Sequence, residues 1–114
     1  MVTNKYMPFF VAESADQVGT LTVTGSRISG RNPFNVVMTL TDPDGIARIT
    51  AATFTSLVDS QTSDRLSQFS RTDANTFGYN SSLRNARWAR ASVSITYVDG
   101  NGVVSTLTGS YVIT

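Results

Sequence analysis

The chain has 114 residues, a length that holds one core and one domain. Hydrophobic residues make up 40% and charged residues 15%, while Ser and Thr fill 30 positions (14 Ser, 16 Thr), which excludes a long solvated helix or coiled coil. The absence of His and Cys removes imidazole and thiolate metal sites, His-based triads, Cys nucleophiles and disulfides, and a net charge of +1 gives no global pull toward nucleic acid or acidic lipid.

In chain order, residues 1–18 read as an N-terminal arm or edge strand and residues 19–114 as a β-sandwich. The apolar stretch from Met7 to Ala12 is interrupted by Pro8 and is shorter than the roughly 7 to 15 residues of a secretion-signal core. Nothing approaches the roughly 18 apolar residues of a membrane span. Met1 at its start favours a complete chain made in the cytoplasm, with an excised fragment of a longer secreted protein as the alternative. The arm carries Tyr6, Met7, Phe9, Phe10 and Val11, too apolar for a solvated tail, and Pro8 confines any strand there to an edge.

Beyond the arm, Leu21 and Val23 alternate with Thr20, Thr22 and Thr24, the period of a strand with one wet and one dry face. Phe34, Val36, Met38 and Leu40 form the clearest dry face, and Asp42-Pro43-Asp44-Gly45 ends that strand in a turn. Ile46 to Leu57 has apolar residues on both faces, as in a strand buried on both sides or broken by a bulge. Ser63-Asp64-Arg65-Leu66 then resembles a helix cap, with Leu66 and Phe69 three apart, and predicts a short helical turn or ordered loop in 56–69.

Phe77 and Tyr79 flank Gly78 in a short strand, and Ala91, Val93, Ile95 and Tyr97 line another dry face. Asp99-Gly100-Asn101-Gly102 predicts a hairpin whose return strand carries Val103, Leu107, Tyr111 and Ile113, with a bulge expected at Gly109. No long helix separates the strands, so the expected fold is all-β, a single antiparallel sandwich of about seven strands, with a small barrel as the alternative. Val36, Met38, Leu40, Val93, Ile95 and Leu107 should share its core.

The run from Val36 to Ile46 through Asp42-Pro43-Asp44-Gly45, the run from Ala91 to Val103 through Asp99-Gly100-Asn101-Gly102, and the ending Tyr111-Val112-Ile113-Thr114 resemble bacterial and phage immunoglobulin-like domains, including the PKD-like and cadherin-like repeats. The resemblance covers roughly residues 20–114 and lapses between Ser56 and Arg90. It implies an immunoglobulin-like sandwich serving as a spacer, an adhesive module or a virion decoration.

Asp42, Asp44 and Asp99 fall in turns that a sandwich gathers at an end, where oxygen ligands suit Ca²⁺. Asp also opens turns by bonding its own backbone, and that reading is preferred, so neither metal nor cofactor is expected. Residues 64–90 hold Arg65, Arg71, Arg84, Arg87 and Arg90 against Asp64 and Asp73. Trp88, Phe69, Phe77 and Tyr79 lie nearby and could stack on a nucleic acid strand, but the rings are better placed in a core, and a protein contact is preferred. The eight acids show no catalytic spacing and Lys5 sits in the arm, so no catalytic residue is assigned and no enzyme is expected.

The expected function is a non-catalytic structural or attachment module, a phage decoration or appendage protein located on the virion. A carbohydrate-binding or cell-surface adhesion module, extracellular and part of a longer chain, is the alternative. The expected contact residues are Tyr6, Phe9 and Phe10 in the arm, with Arg84, Arg87, Trp88 and Arg90. The expected partner is a capsid or other virion subunit, or a second copy. Carbohydrate belongs to the alternative, and neither nucleic acid nor membrane is expected.

Overall fold

The computed structural model describes residues 16–27 and 33–113. Eight strands form there: β1 Thr20–Arg27, β2 Phe34–Thr41, β3 Ile46–Ser56, β4 Thr62–Asp64, β5 Ser70–Asp73, β6 Thr76–Leu83, β7 Arg90–Asp99 and β8 Val104–Val112. They build two antiparallel sheets, ordered β1-β2-β6-β5 and β4-β3-β7-β8. This is the strand order of an immunoglobulin-type sandwich with one strand added at an edge of the second sheet.

The alternating strands behave as their periodicity dictates. Phe34, Val36, Met38 and Leu40 of β2 and Ala91, Val93, Ile95 and Tyr97 of β7 are all buried, and they face each other across the sandwich with Ile46, Ala52 and Phe54 of β3. Leu107 packs against this core from β8 while only partly buried. Phe54 gathers an aromatic cluster, with ring centroids 5.4 Å from Tyr79, 6.2 Å from Trp88 and 6.2 Å from Tyr111. Such pairs add to the stabilisation from burial itself.

Three expectations change. There are eight strands among the described residues rather than about seven, because β4 arises within 56–69, where a helical turn or loop was expected, and β5 follows directly after that segment. β4 has three residues and β5 is exposed along its length, so neither carries an apolar alternation to read. The helical signal survives as one 3-10 turn, Leu66–Gln68, and Ser63-Asp64 is strand instead of cap, with Asp64 Oδ1 accepting from the Leu66 amide at 3.0 Å.

The bulge expected at Gly109 is absent, and the one offered for β3 is present. β8 pairs with β7 in unbroken register through Gly109, opposite Val93. Register shifts fall in β3, between Ile46 and Arg48 and between Ile49 and Ala51, which accounts for its mixed faces, and in β5 between Arg71 and Asp73. Gly109 is small for another reason: a Cβ there would lie 2.8 Å from Val23 Cγ2 on β1, closer than packed carbons tolerate. Reciprocally, a Cβ on Gly25 of β1 would meet Ile113 Cδ1 at 2.6 Å. The two edge strands thus close one side of the sandwich by close approach of backbones.

Candidate functional site

Strand register sends charged residues to opposite ends of the sandwich. Thr41 pairs with Thr76 and Ile46 with Asp99 at one end, while Phe34 pairs with Leu83, Ser56 with Ala91 and Arg90 with Val112 at the other. The first end carries Asp42, Asp44 and Asp99, the second Arg84, Arg87 and Arg90.

At the second end the 3-10 turn Ala86–Ala89 is held from several directions. Ser56 Oγ donates to the Arg87 carbonyl at 2.7 Å and Tyr111 Oη to the Trp88 carbonyl at 2.6 Å, while the Leu57 and Ile113 amides bond the Arg90 and Ala89 carbonyls. Asn85 Oδ1 caps the turn by accepting from the Arg87 amide. Arg87 Nε pairs with Asp59 Oδ2 at 2.6 Å. Burial pushes that carboxyl up, but the bond from Arg87 and the amide of Gln61 outweigh it and hold Asp59 below the usual range.

Of the expected contact residues, Arg84, Arg87 and Arg90 are exposed on and beside this turn, and Trp88 is buried at 9% exposure in the aromatic cluster. Trp88 therefore anchors the surface from beneath and cannot lie on it. Tyr6, Phe9 and Phe10 fall outside the described residues. Sequence reasoning missed the apolar component: Leu57, Val58 and Val112 are 53%, 52% and 55% exposed, and hydrogen bonding places Leu57 and Val112 on either side of Arg90. Arg84 lines a recess on the other flank with Arg27 and Phe34.

Two arginines of the basic run face elsewhere. Arg65 lies over the Phe54 and Trp88 rings at 5.0 and 5.5 Å and donates to Tyr79 Oη at 3.1 Å. Arg71 stacks on Phe77 at 4.5 Å and donates to the carbonyls of Ile46 and Ala47. Phe69 and Tyr79 are buried and Phe77 is half-buried under Arg71, so these rings offer no open stacking face to a base or a sugar.

Turns throughout the fold use Asp as local chemistry dictates. Asp42, Asp59, Asp64, Asp73 and Asp99 each accept, through Oδ1, the backbone amide two residues on. Asp42 also receives the Tyr97 hydroxyl on Oδ2 at 2.7 Å. Asp44 stands apart, accepting the Gln17 amide at 2.6 Å, and Asp16 accepts from Asn101 Nδ2 at 3.1 Å. Carboxylate oxygens of Asp16, Asp44 and Asp99 consequently lie within 4.8 Å of one another.

The Asp16 and Asp99 carboxyls abut, a contact that becomes a hydrogen bond only when one of them holds a proton. Asp99 raises the affinity of Asp16 for that proton. Burial pushes the Asp99 carboxyl up, yet the neighbouring Asp16 carboxyl and the amides of Val103, Asn101 and Gly102 bring it below the usual range. The sequence places Asp44 and Asp99 in turns at one end but gives no sign of Asp16, which lies ahead of the first strand.

No family model, curated protein or solved structure matches this chain.

Proposed function

We propose that the chain is a non-catalytic attachment module, a decoration or appendage subunit of a phage particle that docks through its basic end onto a carboxylate-bearing protein surface. The carrying observation is the exposed Arg90 flanked by exposed Leu57 and Val112, on a turn held by Ser56 and Tyr111. Arginine beside apolar side chains suits the centre of a protein interface: its planar fork pairs carboxylates bidentately, and the neighbouring apolar groups exclude water. A surface already held rigid loses little conformational freedom on binding. The virion setting is supported by the resemblance of the turns at 42–45 and 99–102 to phage immunoglobulin-like domains and by the sandwich topology.

The test is light scattering and co-sedimentation of the chain, alone and with candidate capsids. The Arg84→Glu/Arg90→Glu variant should keep the parent melting temperature and lose particle binding at least tenfold. Particle binding that survives the double substitution overturns the assignment of the surface.

A further inference from the structure

We infer that the acidic end is a Ca²⁺-binding site formed by Asp16, Asp44 and Asp99. The three carboxylates come from three separate places in the fold, the segment ahead of β1, the β2–β3 turn and the β7–β8 turn, yet their oxygens lie within 4.8 Å of one another. Proximity alone would be unremarkable among surface acids. The second observation is Asp99, which is 1% exposed. Its Oδ1 accepts the amides of Asn101 at 2.8 Å and Val103 at 2.9 Å, while its buried Oδ2 finds no hydrogen-bond donor among the described residues.

A carboxylate oxygen buried without a donor is costly, and a second carboxylate placed against it adds repulsion. A divalent cation removes both penalties at once. The neighbouring acid behaves differently: both oxygens of Asp42 are engaged, by the Asp44 amide and the Tyr97 hydroxyl, so Asp42 is not among the ligands.

The donor set selects the ion. Three carboxylates without nitrogen or sulfur favour a hard cation, and Ca²⁺ takes roughly six to eight oxygens at flexible geometry where Mg²⁺ demands a near-ideal octahedron and usually takes one or two carboxylates. The Asn101 side-chain amide already touches Asp16, and turning it end for end presents its Oδ1 as a further ligand. Bidentate carboxylates and water complete the shell.

The experiment strips the full chain with EDTA and titrates it with CaCl₂ by calorimetry and thermal melting, with MgCl₂ and NaCl at matched ionic strength as comparators. One Ca²⁺ per chain should bind, and millimolar Ca²⁺ should raise the melting temperature by several degrees. Asp16→Asn, at an exposed position outside every strand, should fold as the parent does and bind Ca²⁺ at least tenfold more weakly. Asp99→Asn retains the turn-bonding Oδ1 and should also lose binding. The proposal is overturned if Ca²⁺ gives neither heat nor a melting shift, if MgCl₂ or NaCl reproduces the shift, or if Asp16→Asn binds as the parent does.

Discussion

Tyr97 Oη on β7 donates to Asp42 Oδ2 at the end of β2, a 2.7 Å bond that ties one sheet to the other beside the acidic turns. Both residues are buried, at 0% and 1% exposure, so water cannot replace either partner. Tyr97→Phe strands a buried carboxylate oxygen and should cost about 1–3 kcal/mol in urea unfolding. A loss below about 0.5 kcal/mol, the level of a surface substitution, would show that the bond does not join the sheets in solution.

Met38 sits at the centre of β2 with 1% exposure, paired laterally with Val23 and Tyr79. Met38→Ala should cost about 2–5 kcal/mol, since the side chains around it are held by two sheets and collapse only partly into the space. The denaturant midpoint should fall with the slope unchanged.

Stability should fall in alkali. Burial pushes Tyr111 up to about 12 and, together with the Asp42 carboxylate, drives Tyr97 still further above the usual phenol range. Both phenols ionise near pH 10 in the unfolded chain, so the folded state binds their protons more tightly. This contribution is therefore complete below about pH 10 and is lost as pH rises through the folded-state values. The melting temperature should hold level to about pH 9 and then drop, with tyrosinate absorbance growing as the fold opens. A level melting temperature past about pH 11 would contradict the burial of these hydroxyls.

The seam between β1 and β8 gives a test of opposite sign from ordinary strand behaviour. Gly→Ala inside a strand normally gains about 0.5–1 kcal/mol. Gly109→Ala should instead lose about 1–3 kcal/mol, because the new methyl meets Val23 Cγ2 at 2.8 Å. Val23→Ala should recover part of that loss in a double-mutant cycle. A gain in stability from Gly109→Ala alone would mean that β1 stands off from β8.

The parts of the fold legible in the sequence are those with one wet and one dry face. β2 alternates throughout and β7 from Arg90 to Tyr97, and their turns at Asp42 and Asp99 carry the side-chain oxygens that close them. β5 is illegible because nothing on it is buried, and β3 is ambiguous because its two bulges switch the face that each apolar residue presents. The basic run of residues 64–90 misleads in another way: it is continuous along the chain, but Arg65 and Arg71 point onto rings and carbonyls while Arg84, Arg87 and Arg90 share an end. Asp16 joins the acidic end through its contact with Asn101, 85 positions away, which no local pattern encodes.

The sheet order also bears on how fast the chain reaches this state. β1 with β2, β3 with β4, β5 with β6 and β7 with β8 are neighbours in sequence, but the central pairings join β2 to β6 and β3 to β7. Met38 meets Tyr79 and Phe54 meets Val93 across about 40 intervening residues. Closing such loops costs entropy before any burial repays it, which places folding in the millisecond-to-second range typical of sandwiches. Until those two pairings form, the hairpins are marginal on their own and expose strand edges. The single Trp88, packed edge-on to Phe54, will then report by its fluorescence the arrival of the central strands and not the earlier formation of the hairpins.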